Sequence, residues 1–107
     1  MASIPGMGNL LKQAQDMQAR MAKIQEELAH KTVEGTAGGG MVQVTVNGQF
    51  NLTAVKIEAS VISVEEKAML EDLILAAVND GMRKAREMAS AEMAKLTGGL
   101  KIPGLMP

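Results

Sequence analysis

A chain of 107 residues bounds one small domain, at a size where a solitary hydrophobic core is marginal. The absence of cysteine excludes disulfides and thiolate zinc sites. No apolar run nears the roughly 20 residues that span a bilayer, and no signal-peptide pattern opens the chain, so a soluble cytoplasmic protein with no membrane partner is expected. The formal net charge of −1 argues at first against nucleic acid, whose phosphates need cations.

In chain order, residues 1–8 hold Pro5, Gly6 and Gly8 and read as a flexible lead-in, with Asn9 as the N-cap of the helix that follows. That helix is expected to run to about His30. Its apolar seam is Leu10, Ala14, Met17, Met21, Ile24 and Leu28, in alternating steps of four and three. This is a heptad stripe, narrower and more regular than a helix lying on an ordinary core requires. About 20 helical residues reach roughly 30 Å, more than a three-stranded sheet covers, so part of the helix is predicted to project.

The period then changes to an alternation rich in Val and Thr. Strands are predicted at 32–36, 41–46 and 50–58, with Gly38-Gly39-Gly40 as the first loop. Asn47-Gly48 is the signature of a two-residue type I′ hairpin. That loop would set Val46 opposite Gln49, Val44 opposite Asn51 and Val42 opposite Thr53. Val42, Val44 and Val46 then share the core face with Val55 and Ile57, while Phe50 and Leu52 point the other way.

Ser63-Val64-Glu65-Glu66 reads as the capping box that opens a second long helix, expected to run to about Leu96 and to stop at Gly98-Gly99. Its first half is apolar around most of its circumference, so it is expected to be buried on several sides. The chain has one Phe, no Trp or Tyr, and ten Met, and methionine packs adaptably but specifies weakly. A partner surface should therefore complete the core, and a homodimer through Leu70, Leu73, Ile74, Ala77 and Val78 is expected. Residues 98–107, GGLKIPGLMP, are expected to form a mobile tail.

Nothing in the chain assembles an active site. His30, the single histidine, reads as a helix-end residue, and Glu65-Glu66 and Glu71-Asp72 as a helix start and an exposed face. GTAGGGM lacks the Lys-Ser/Thr of a phosphate loop, and the helical spacing of the methionines indicates packing, not copper ligation. No catalytic residue, metal, cofactor or small-molecule substrate is expected. Charge is unevenly spread: residues 34–80 hold two bases against seven acids, while 1–33 hold four against three and 81–107 five against two. Cations therefore sit on the two helical ends.

Three stretches, GMGNLLKQAQDMQARM, GTAGGGMVQVTVNG and LEDLILAAVND, together resemble the YbaB/EbfC family of bacterial nucleoid-associated proteins, in order and spacing over nearly the whole chain. The resemblance implies an α+β protomer of order α-β-β-β-α with a three-stranded antiparallel sheet. It also implies a tight homodimer whose last helices lie between two sheets and whose N-terminal helices stand out as arms. It further implies binding of double-stranded DNA without strong sequence preference, in the nucleoid, for chromosome organisation and gene regulation. Family DNA binding is attributed to both helical ends, which here carry Lys12, Arg20, Lys23, Arg83, Lys84, Arg86 and Lys95. These side chains are expected to contact phosphates, not base edges, with Gln13, Gln15, Gln18 and Gln25 able to add hydrogen bonds. The alternative is a coiled-coil chaperone or scaffold of prefoldin-like helix–hairpin–helix organisation, whose Met-rich seam would suit apolar clients. Salt separates the two readings, because only phosphate binding weakens steeply with ionic strength.

Overall fold

Two helices bracket a three-stranded sheet and do different work. In the computed structural model, which describes residues 6–97, the order is α1 (Met7–His30), β1 (Thr32–Ala37), β2 (Val42–Asn47), β3 (Leu52–Ile57), a 3₁₀ turn (Ala59–Val61) and α2 (Lys67–Thr97). The sheet is antiparallel in the order β1-β2-β3. The molecule is long and thin, 77 × 25 × 18 Å.

The core sits where α2 crosses β1 and β2. Val42, Val44 and Val46 alternate along β2 and are fully buried on one face of the sheet, each contributing about 1.5–3 kcal/mol through removal from water. Ala77, Gly81 and Ala85, spaced by four, form the opposing stripe of α2. Their small size lets the helix lie almost on the strand backbone. A Cβ added at Gly35 would fall 2.6 Å from the Cα of Gly81, and one at Gly81 would fall 2.9 Å from Val46 Cγ2. β1 turns into β2 through Gly38, Gly39 and Gly40, at φ 63°, 66° and 94°, a left-handed run that only glycine adopts without strain.

The two sheet edges are treated differently. Along β1, Asp80 Oδ2 accepts the amide of Thr36 at 3.0 Å, and Lys84 Nζ donates to the carbonyl of Glu34 at 3.1 Å. Side chains of α2 thus occupy backbone groups that would otherwise template another strand. Asp80 also pairs with Arg83 at 2.9 Å and Lys84 at 3.1 Å. The Thr36 amide, followed by these two cations, holds its carboxyl down to about 2. β3 has no such cover. Its residues are exposed except for half-buried Ile57, because α2 lies over β1 and β2 and leaves β3 bare.

Element order and strand positions match the sequence reading; several boundaries and one turn do not. α1 starts at Met7, behind Gly6 at φ 88° with no side-chain cap, so residues 7 and 8 are helical and Asn9 lies inside the helix. α2 starts at Lys67; the Ser63 hydroxyl does accept the Glu66 amide at 3.1 Å, but the turn it holds precedes the helix. Asn47-Gly48 is not a two-residue turn. Asn47 Oδ1 accepts the amides of Gln49 and Asn51, both at 3.0 Å, and closes a wider loop with Phe50 at φ 66°. Gly48 lacks a positive φ; a Cβ there would lie 2.8 Å from Leu28 Cβ, and its amide bonds the carbonyl of Leu28 at 2.8 Å. The two residues dock the loop on α1 instead of reversing the chain.

The register moves with the loop: Val42 pairs with Ile57 and Val44 with Val55, and a bulge at Thr45/Val46 brings Leu52 opposite Val46. The first two pairings shift by four residues from the two-residue-turn register, an even step, so Val55 and Ile57 stay on the face of Val42 and Val44. The bulge breaks the alternation that would turn Leu52 away. The expected tail, 98–107, and residues 1–5 of the lead-in lie outside the described residues.

Two outcomes follow from this packing. Gly35→Ala drives a methyl into helix backbone that cannot yield, whereas Gly81→Ala meets two valine methyls. Both should destabilise by about 1–3 kcal/mol, Gly35→Ala the more, read as a shift of urea midpoint without a change of slope. Asp80 has a folded pKa below its unfolded value near about 3.9, so its contribution is complete above that pH and is lost as pH falls toward 2. Unfolding of Asp80→Asn beside the parent should therefore show a stability gap that is constant at neutral pH and closes through that acid window.

Candidate nucleic-acid interface

Among the described residues, the seam of α1 meets the rest of the protein only at its C-terminal end. Ile24 and Leu28 are buried, while Met21, Met17 and Leu10 are exposed by 40%, 45% and 67%. Every described residue from 6 to 23 is exposed. At 1.5 Å per residue, the free part of α1 stands about 25 Å out from its root. α1 is a projecting arm.

The root is fixed by side chains from three elements. Gln49 Nε2 donates to the Gln25 carbonyl at 3.0 Å and Asn47 Nδ2 to the Ala29 carbonyl at 3.4 Å. Lys31, one residue beyond α1, pairs with Glu92 of α2, which also takes Lys95 at 3.1 Å. Glu92 is buried, yet the two lysines, Lys31 first, pull its carboxyl below the usual range. Nothing near Glu92 in sequence announces this bond, since its partner lies 61 positions away. Leu28, Phe50, Ala89 and Met93 line an open cleft at the same root, together with Gln25, Arg86 and Ser90.

The seven candidate cations separate into two groups. Lys12, Arg20 and Lys23 lie on the free arm and Arg86 at its root, all exposed and, among the described residues, without an ion pair. Arg83 is held by Asp80 and Glu87, both at 2.9 Å; Lys84 by Asp80 and the Glu34 carbonyl; Lys95 by Glu92. At 100° per residue, the three arm cations span an arc of about 80°, centred about 120° from the seam. Asp16 shares that arc, and no ion pair joins it to them. The arm therefore offers an apolar edge and a separate cationic face.

Of the residues expected at a dimer surface, Ala77 is fully buried inside the protomer, and Leu70, Leu73, Ile74 and Val78 are half-buried against the same core. Among the described residues outside α1, the large apolar side chains left open are Phe50, Leu52 and Val55 around β3, Ile62 and Val64 before α2, and Met69 and Leu75 on α2. Strict alternation hides the β3 group, because it predicts which face a residue takes and not whether a helix covers it.

Comparison with known proteins agrees with this architecture. Residues 3–100 match the YbaB/EbfC DNA-binding family. A nucleoid-associated protein of Desulfotalea psychrophila is 52% identical over 99 residues, covering 92% of this chain and 93% of its own. Another, from Syntrophobacter fumaroxidans, is 56% identical over 97 residues, covering 91% and 88%. The crystal structure of an uncharacterized protein from Helicobacter pylori superposes with a TM-score of 0.72 at 24% identity, over 92% of this chain and 100% of that one, and shares the fold. With an order of helix, three antiparallel strands and helix, and a match over nearly its whole length, the chain belongs to the YbaB/EbfC DNA-binding family.

Proposed function

We propose that the protein is a homodimer that holds duplex DNA through phosphates, with little dependence on base sequence, and that it serves chromosome organisation and gene regulation in the nucleoid. The observation that carries this reading is the arm: a helix free of the core over residues 7–23, bearing Lys12, Arg20 and Lys23 with, among the described residues, no acid bound to any of them. An unpaired exposed cation exchanges only water and counterions for a phosphate, and counterion release drives such binding. Arg83, Lys84 and Lys95 would first have to leave their carboxylates, so the arm and Arg86 make the principal contacts. The contacts carry no sequence information, because a lysine or arginine on a phosphate positions the duplex without reading it.

Dimerisation is supported by what α2 leaves uncovered. β3 presents Leu52 and Val55 beside an open strand edge, and Leu75 stands exposed by 61%. In a 107-residue chain this apolar surface is the natural seat of a second copy. The half-buried flanks of Leu70, Leu73, Ile74 and Val78 would then be completed from the partner side.

Replacing Lys12, Arg20 and Lys23 together by Gln should weaken binding to unrelated duplexes alike. It should also flatten the plot of log K against log salt by about 0.9 for each phosphate that is no longer neutralised. Replacing Arg83 and Lys84 by Gln should do less. Titration of both variants against two duplexes at several salt concentrations decides, and equal losses of affinity would remove the arm from its leading place.

For the dimer, Val55→Asp places a charge where the protomer itself is open, so the fold should survive while association weakens tenfold or more, about 1.4 kcal/mol. Sedimentation with circular dichroism reads both. A Val55→Asp dimer as tight as the parent would move the interface off β3.

A further inference from the structure

Among the described residues, nothing in the protomer covers the exposed half of the α1 seam, and neither the β3 residues proposed for the dimer nor the arm cations lie on it. Leu10, Ala14, Met17 and Met21 run along one edge at heptad spacing, with Leu10 and Met17 at d positions and Ala14 and Met21 at a. We infer that this edge is a self-association surface on which arms of separate copies pair antiparallel, Leu10 against Met21 of the second copy and Ala14 against its Met17.

Four features select that occupant and that direction. The register is self-complementary over the exposed stretch, closing four layers in which every a residue meets a d residue. Each Ala14 lies across from a Met17, so small meets large and the helices can interdigitate; a parallel pair would stack Ala14 on Ala14 and leave a void. Charge is compatible too. The flanking e and g positions over this stretch are Leu11, Gln13, Gln18 and Arg20, so no like charges are set opposite each other, while Lys12 and Lys23 lie outward at f and c. Antiparallel helix dipoles also attract. Two arms can thus pair along their seams while Lys12 and Lys23 of each stay open and Arg20 borders the seam.

Four layers fall short of the roughly 1,200 Å² that a lasting interface buries. The pairing is therefore transient in dilute solution and is populated when copies are held side by side, which raises their effective concentration. Its use, linking neighbouring dimers on one duplex or bridging two, rests on the DNA-holding reading above; the pairing itself does not.

The absence of cysteine permits a direct test. Full-length Ala14→Cys and Met17→Cys proteins, one carrying a size tag, are mixed and mildly oxidised at high concentration, with and without a long duplex. The 14–17 cross-link should exceed either self cross-link by about tenfold and rise further with DNA. Native sedimentation should place the cross-linked material above the mass of the uncross-linked protein. Met17→Asp should abolish cooperative loading of a long duplex while leaving affinity for a duplex that fits one dimer unchanged. The inference is overturned by absence of the 14–17 product or by dominance of a 17–17 product. It is equally overturned if removing residues 98–107 raises cross-linking about tenfold, which would make the chain's own C-terminal segment the occupant. Loss of single-dimer duplex affinity in Met17→Asp as large as in the Lys12, Arg20 and Lys23 variant would make DNA the occupant. If the parent binds no duplex at all, the DNA reading falls, and the DNA-free cross-link still decides the pairing.

Discussion

The contact on which the rest depends is backbone against backbone, where Gly81 of α2 rests on Gly35 of β1. A helix normally keeps its distance from a sheet because two layers of side chains intervene. Here the stripe Ala77, Gly81, Ala85 removes one layer, and Gly35 removes the other at the crossing point. The approach is close enough for Asp80 and Lys84, one on each side of Gly81, to reach the edge of β1 and satisfy its backbone. It also draws α2 toward β1 and β2, and so away from β3. One steric allowance thus closes one sheet edge, opens the other and leaves an apolar strip exposed along β3.

The same crossing sets the arm. Past Ala85, α2 runs beyond the sheet and meets the end of α1, where Glu92 takes Lys31 and the Asn47 loop docks on Leu28 and Ala29. Those bonds hold the last turns of α1 and nothing earlier. The gradient of exposure along the seam, from buried Leu28 to open Leu10, marks where the anchoring stops. On the proposed reading, an anchored root and an exposed tip would suit a helix that follows a duplex of arbitrary sequence.

How much of this the residues announce depends on the distance over which each signal acts. Periodicity is local, so the helix–three strands–helix order, the heptad seam and the buried face of β2 are legible in the chain. The hairpin is not, because Asn47-Gly48 has two uses that look alike in sequence. A type I′ turn and an Asx-closed loop docked on a helix both favour Asn then Gly, and only the position of Leu28 in space separates them. The start of α2 is displaced for a related reason: Ser63 makes its bond, but the helix behind it begins later. Candidate cations can be named from the sequence, yet which of them are already occupied cannot. Arg83 and Arg86 are three residues apart and read alike; the fold puts Asp80 and Glu87 on the first and an open cleft beside the second.

For an acidic chain of a DNA-binding family, net charge presents an electrostatic difficulty, and the shape of the molecule bears on it. The excess of acids lies in residues 34–80, which build the sheet, its connections and the first half of α2. The arm cations lie on a helix that leaves this mass at its far end and extends about 25 Å beyond it. At physiological salt, charges more than about 8 Å apart across solvent hardly sense each other. On the proposed reading, a duplex lying along the arm would meet Lys12, Arg20 and Lys23, diluted by Asp16 and, at the root, by Glu26 and Glu27, and little of the sheet's negative field. Net charge is the wrong quantity for such a molecule, since the sum averages two regions that are electrostatically separate. Under the same proposal the acidic body would also act at short range, repelling a duplex that approaches the sheet and so adding exclusion to the attraction of the arm.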